Sequence, residues 1–256
     1  MRIVADDKIP FLKGVLEPYA DVEYLSGAAI GPEDVKEADA LVVRTRTRAG
    51  KGLLEGSQVK AVVSATIGTD HLDIPWLEEN NIAWANAPGC NSGSVMQYIA
   101  SVFSVLEMSY YPLAGKTLGI VGIGNVGSKV KKVGEAFGMK VVLNDPPRQE
   151  NEPDFKGVDL NVLLQMSDVV SFHVPLQHEG KYPTFHLLND ATLMMMKRGS
   201  VLINTSRGEV VDERVMKKGI SSGIIEHGIL DVWENEPAIS RELQERLMIG
   251  TPHIAG

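Results

Sequence analysis

The sequence runs to 256 residues, 44% of them hydrophobic, which is enough to bury one large core or two modest ones. Its 25 basic and 33 acidic residues leave a formal charge of -8, which repels nucleic acid and anionic membrane surfaces, so any anionic ligand must be held by local positive charge. The lone cysteine, Cys90, excludes an intrachain disulfide and a thiolate-rich metal site, and the expected address is the cytoplasm.

In chain order, short apolar and β-branched runs predict strands at residues 2–5, 22–25, 40–43, 61–64 and 82–84. Helical periodicity separates them, as at 35–38 and 74–80, and this alternation predicts a parallel sheet. After the turn-rich Ala87-Pro88-Gly89 comes a long helical pattern from about 91 to 108. Its most apolar window, 98–108, is shorter than a bilayer span and broken by Ser101 and Ser104, while residues 1–10 lack the pattern of a signal peptide. A second alternating series then predicts strands at 118–121, 140–144, 169–172, 201–204 and 225–231. The stretch 146–156, rich in Pro, Asn and Asp, is expected to be a loop. The expected fold is α/β with two doubly wound parallel-sheet domains, one over residues 1–90 and one over 91–256 that includes the connecting helix.

Gly122-Ile123-Gly124-Asn125-Val126-Gly127 matches GxGxxG between a predicted strand and a predicted helix over 125–137. The first glycine permits a tight turn, the second lets backbone approach a pyrophosphate and the third lets helix and strand pack closely, while the helix N-terminus supplies partial positive charge. Asp145 follows the next strand about 18 residues beyond Gly127, near the spacing at which a carboxylate accepts hydrogen bonds from the adenosine ribose. That favours NAD over NADP, although Arg148 is the kind of residue that accommodates a 2′-phosphate. Taken alone, Asp145 is an ordinary strand-end turn residue.

Three further segments follow successive predicted strands: Thr205-Ser206-Arg207-Gly208, Trp233-Glu234-Asn235-Glu236-Pro237 and Thr251-Pro252-His253-Ile254-Ala255-Gly256. Open α/β sheets bind ligands at the carboxyl ends of their strands. An arginine can hold a substrate carboxylate, a histidine can exchange a proton with a carbonyl or hydroxyl, and a glutamate beside it can favour the imidazolium. Taken singly, each has an ordinary explanation as a solvated charge, a turn residue or a structural histidine; together at strand ends they form a candidate catalytic set. His71 and His173 have no evident partner at catalytic or metal-ligand spacing, and His178, His186 and His227 are expected in loops or packing. No metal is expected, since neither HExxH nor a Cys/His cluster is present. Cys90 is expected to be a small packing residue in the turn before the long helix.

The glycine motif, Asn204 to Gly208 with Val211-Asp212 behind it, Asp231-Val232-Trp233 with Glu236-Pro237, and Thr251-Pro252-His253 together resemble the D-2-hydroxyacid dehydrogenase family, as do segments 66–70 and 87–91. The resemblance implies a flavodoxin-like substrate domain and a Rossmann NAD-binding domain, with His253 as acid/base, Glu236 as its partner and Arg207 as the carboxylate-binding residue. NAD would be held by Gly122, Gly124, Asn125, Val126, Gly127, Asp145, Val174, Thr205, Ser206, Asp231 and Gly256. Within the family the resemblance points to a 2-hydroxy acid bearing a phosphate at its far end, with Arg44, Thr45, Arg46 and Thr66 as substrate contacts. Side-chain alternation would put Arg44, Arg46 and Arg48 on one side of an extended segment. Other 2-hydroxy acids, such as glycerate, lactate or 3-phosphoglycerate, and a dinucleotide-sensing interaction protein on the same fold are the competing readings. Family members continue past the histidine into a segment returning to the first domain and, in the phosphate-specific branch, a dimerisation domain. A homodimer is therefore expected of the full-length form, and a chain ending at Gly256 would lack these parts.

Overall fold

The computed structural model describes residues 1–256, which divide into two compact units, Met1–Asn91 and Ser92–Gly256. In the first unit the elements are β1 (Arg2–Asp6), β2 (Asp21–Leu25), α1 (Pro32–Val35), β3 (Ala40–Val43), α2 (Lys51–Leu54), β4 (Ala61–Ser64), α3 (Ile74–Glu79) and β5 (Ala83–Ala85). The strands pair in parallel in the order β2-β1-β3-β4-β5, the doubly wound order of flavodoxin-like sheets. Val4, Leu41, Val43 and Val62 enter one hydrophobic cluster, and Ile3, Ala5 and Val42 another. Alternate residues of β1 and β3 thus face opposite sides of the sheet.

The second unit contains α4 (Ser92–Met108), β6 (Thr117–Val121), α5 (Asn125–Ala136), β7 (Lys140–Asn144), α6 (Pro146–Asn151), α7 (Leu160–Met166), β8 (Val169–Phe172), α8 (Asp190–Leu193), β9 (Ser200–Asn204), α9 (Glu213–Ser222), β10 (Ile225–Leu230), α10 (Arg241–Gln244) and β11 (Ile249–Gly250). Its parallel sheet has the order β11-β10-β9-β8-β6-β7, so the chain reverses its direction of travel across the sheet between β6 and β8. Such a switch point opens a crevice beyond the strand ends. Burial on both faces explains the continuous apolar strands: Ile120, Val201, Ile203 and Ile229 join Ile99 and Phe103 of α4. Val170, Phe172, Leu202 and Leu230 pack with Leu163 and Leu164 of α7 on the other face.

Several expectations are corrected. Residues 146–151 are helix rather than loop: the Asp145 carboxylate caps it by accepting the Arg148 N–H at 3.1 Å, Pro146 occupies the first turn, and Arg148 pairs with Glu152 four residues on. The helix expected over 35–38 lies earlier, at Pro32–Val35, because Asp34 reaches back to the Gly31 N–H at 2.8 Å. Arg44, Thr45, Arg46 and Thr47 do not continue β3 in extended form. The Thr47 N–H donates to the Arg44 carbonyl at 3.2 Å and the Thr47 hydroxyl to Gly27 at 2.8 Å, which closes a turn and removes the strand alternation expected for the arginines. Cys90 is exposed in the turn closed by its N–H to Ala87, not packed.

Candidate active site

The glycine loop fills the crevice at the switch point. Gly122 has φ +90, and a Cβ there would lie 2.5 Å from the His173 carbonyl oxygen at the end of β8, so only glycine lets the two strand ends approach this closely. A Cβ on Gly127 would collide with the Gly122 carbonyl, which fixes how tightly α5 lies on β6. At Gly124, the residue preceding α5, a Cβ would meet nothing within 4 Å. Glycine there answers no internal packing demand and leaves the backbone open to a ligand. The amides of Asn125, Val126 and Gly127 stand in the first turn of α5, where no intrahelical acceptor exists and an anion is stabilised. Residues and geometry therefore fit a dinucleotide.

The Ile123 peptide is held on both sides, its N–H by Asp145 Oδ2 at 2.8 Å and its carbonyl by Arg148 Nη1 at 2.8 Å. Arg148 also bonds Glu152 at 2.8 Å and lies over the Phe155 ring, so its charge already has a carboxylate partner. Val174 follows β8 with a methyl against Gly122, and Thr205 follows β9 with its hydroxyl 3.4 Å from His173 Nδ1. His173 Nε2 is 2.8 Å from the Ser171 hydroxyl, and desolvation pushes this imidazole down to about 3, so it is neutral at physiological pH.

The candidate catalytic side chains come from three adjacent strand ends, β9, β10 and β11. Asn204, fully buried at the end of β9, donates to the Arg207 carbonyl at 2.8 Å and accepts the Ser206 N–H at 3.0 Å and hydroxyl at 2.8 Å, curling the segment that presents Arg207. Asp231, beyond β10 and 1% exposed, organises the last loop: its carboxylate accepts the Thr251 hydroxyl at 2.6 Å and the N–H groups of Ile254 and Ala255, each at 2.9 Å. Its carbonyl accepts the His253 N–H at 2.7 Å. The Trp233 indole donates to the Thr251 carbonyl at 2.9 Å, tying the β10 and β11 loops together.

Within this frame His253 adopts φ +56 and places Nδ1 2.9 Å from Glu236 Oε2, while Glu236 Oε1 accepts the Trp233 N–H at 2.8 Å. The Glu236 hydrogen bond raises the His253 pKa above its ordinary value, against opposition from burial and the Arg207 charge. Burial alone would raise the Glu236 carboxyl; the bonds from His253 and Trp233 and the charges of His253 and Arg207 outweigh it and hold the group low. Arg207 is thus close enough for its charge to act on both partners. With Nδ1 turned to the carboxylate, Nε2 is the nitrogen available for proton exchange. Gly256 is exposed at the end of this loop.

In the first unit Arg44 donates to the Lys8 carbonyl at 3.1 Å, and Thr45 and Arg46 are exposed in the turn after β3. After β4, the Thr66 hydroxyl donates to the Gly68 carbonyl at 3.0 Å and stands 2.7 Å from the Ser64 hydroxyl, which is 2.9 Å from His71 Nε2. Because Thr66 spends its proton on Gly68, Ser64 donates to Thr66 and His71 donates to Ser64. Sequence reasoning did not find this chain, nor a hydrogen bond between His186 and Glu234 at 2.7 Å. The His186 pair joins residues 48 apart, with no local signal to suggest it.

Residues 97–255 match the family described as D-isomer specific 2-hydroxyacid dehydrogenase, NAD binding domain. Over 258 residues the chain is 47% identical to an erythronate-4-phosphate dehydrogenase of Bacteroides fragilis, covering 100% of this chain and 74% of that one. It is 48% identical to the enzyme of the same name from Bacteroides thetaiotaomicron, with the same coverage of 100% and 74%. Among solved structures it resembles an Aquifex aeolicus D-lactate dehydrogenase complexed with NAD and lactic acid, with TM-score 0.80 and 25% identity over 100% of this chain and 89% of that one.

Proposed function

The chain belongs to the D-isomer specific 2-hydroxyacid dehydrogenase family and is an NAD-dependent dehydrogenase, and from that premise we propose that it oxidises 4-phosphoerythronate to the corresponding 2-oxo acid, a step in making pyridoxal phosphate. What carries the choice of substrate is the identity of 47% and 48% along the whole chain to relatives bearing that enzyme name.

Bound NAD would supply the acceptor for the hydride that leaves C2 of the substrate. The glycine loop, the first turn of α5, Asp145 and the strand-end residues Val174, Thr205 and Ser206 would hold it, with Asp231 and Gly256 bordering the site. Arg207 pairs with the substrate carboxylate and orients C2. His253 takes the C2 hydroxyl proton through Nε2, and the imidazolium so formed is stabilised by Glu236 on Nδ1. The raised pKa of His253 makes it the stronger base for this transfer, and in 2-oxo acid reduction the same nitrogen returns the proton. We assign the substrate phosphate to Arg44 and Arg46, with Thr45 as a hydroxyl donor and Thr66 able to donate only once its proton leaves the Gly68 carbonyl, since a chain of net charge -8 must concentrate positive charge locally to hold it. On the same reading the protein is a cytoplasmic homodimer; in the structure, no helix is long and apolar enough to cross a membrane.

The test is NADH formation with 4-phosphoerythronate beside D-glycerate, D-lactate and 3-phosphoglycerate. Preference for the first is expected. Preference for another acid would keep the chemistry and discard the pathway. Arg44→Ala and Arg46→Ala should each raise KM for a phosphorylated acid and leave that for an unphosphorylated one unchanged; equal effects on both would remove the phosphate assignment.

A further inference from the structure

Two residues before Glu236, the same loop carries a second glutamate that is bonded elsewhere. Glu234 Oε1 lies 2.7 Å from His186 Nε2, and its Oε2 accepts the Glu213 N–H at 3.1 Å. Glu213 Oε1 in turn accepts the Glu234 N–H at 3.2 Å, so the two glutamates are cross-linked by reciprocal side-chain to backbone bonds. Glu213 is 8% exposed, and its pKa is raised by burial and by the nearby Glu234 charge, against the Glu234 N–H bond. Two carboxylates this close repel unless donors offset them, and His186 is the side-chain donor among these.

His186 is itself well anchored. Its N–H donates to the Glu209 carbonyl at 2.8 Å, its carbonyl accepts the Asn189 side-chain amide at 3.0 Å, and its ring stacks on Phe185 with centroids 3.9 Å apart. The peptide it holds is central to the site. Trp233 N–H fixes Glu236 Oε1 at 2.8 Å, and Gly208, directly after Arg207, lies against the Trp233 carbonyl and the Glu234 nitrogen. Displacing Glu234 therefore displaces the donor that aims Glu236 at His253.

We propose that His186 is a positioning residue of the active site: by bonding Glu234 it holds the backbone of Trp233 and Glu234, and through the Trp233 N–H also Glu236, in place against His253. The role rests on Glu236 and His253 being the proton-handling pair and is independent of which acid is the substrate.

The experiment is an NMR titration of the His253 imidazole in the intact chain, comparing wild type with His186→Phe, His186→Gln and Glu236→Gln. His186→Phe keeps a stacking ring and loses the donor; Glu236→Gln marks complete loss of the carboxylate. The His253 pKa in His186→Phe is expected to fall by about half a pH unit, part of the fall in Glu236→Gln. Its kcat should fall roughly tenfold with KM for NAD unchanged. His186→Gln, whose amide can donate to Glu234, should restore both. An unmoved His253 pKa in His186→Phe, or no recovery in His186→Gln, overturns the proposal whatever the Tm. Should His186→Phe not fold, His186→Ala decides, because it removes the donor without adding bulk: the same fall supports the role and no fall overturns it. A chain that fails to turn over 4-phosphoerythronate still yields the titration, so the positioning role and the substrate assignment fail separately.

Discussion

Replacing Gly208 with alanine adds one methyl group where the segment presenting Arg207 lies against the loop carrying Glu236. That carbon would stand 2.5 Å from the Glu234 nitrogen and nearer still to the carbonyl of Trp233, all backbone atoms that no rotamer change can move aside. Carbon contacts become favourable only near ~3.5 Å, so the two segments must part by about 1.5 Å. Neither yields easily: the Trp233 side chain is 3% exposed and hydrogen-bonded to Thr251, and Arg207 is held by Asn204. Overpacking of this kind costs about 1–3 kcal/mol, a fall in Tm of roughly 3–10 °C for a unit of this size. Displacing Arg207 by an ångström is expected to lower kcat/KM about 100-fold, equivalent to roughly 2.7 kcal/mol. Steady-state NADH formation, a melting curve and an NADH binding titration measure the three quantities, and NADH affinity should change least because the glycine loop lies elsewhere. Wild-type kcat/KM in a folded Gly208→Ala protein would refute the claim that this close approach sets the position of Arg207.

Gly124→Ala is the complementary case: its Cβ meets nothing inside the protein, so Tm should hold while the Kd for NADH rises by about tenfold or more, and unchanged affinity would mean that the dinucleotide does not approach Gly124. The Glu236–His253 pair predicts a stability window. With Glu236 lowered from 4.5 and His253 raised from 6.5, the pair contributes fully between those values. Its contribution is lost as pH falls through the lowered Glu236 pKa and as pH rises through the raised His253 pKa. The Tm difference between wild type and Glu236→Gln should therefore peak at about pH 5.5 and shrink on both sides; a difference independent of pH would count against the pair. The rate of oxidation should rise through the His253 pKa, and Glu236→Gln should move that rise to lower pH. Asp231→Asn puts an amide opposite backbone donors of the His253 loop and should cost about 1–3 kcal/mol, read as a lower Tm together with a lower kcat.

Much of the fold is written in local pattern. The apolar runs at 40–43, 61–64, 140–144 and 169–172 coincide with β3, β4, β7 and β8, and in β3 and β8 burial on both faces demands continuous β-branched and aliphatic side chains. The helix at Pro146–Asn151 was also legible in principle: Asp145 as cap, proline in the first turn and an Arg148–Glu152 pair are helix signals that a Pro- and Asn-rich composition obscured.

By itself the sequence determined the alternation of strands and helices, the glycine loop, and that Arg207, Glu236 and His253 follow strands, since each depends on residues a few positions apart. Only the tertiary structure decided that the arginines after β3 lie in a turn closed through Thr47 and Gly27, that Ser64 and His71 stand behind Thr66, and that His186 reaches the loop of Glu236. Those pairings carry no periodicity and no motif. They arise where the packing of a parallel sheet brings loops to neighbouring strand ends, and there a polar side chain takes the partner that the fold presents, as the half-buried Glu234 does with His186.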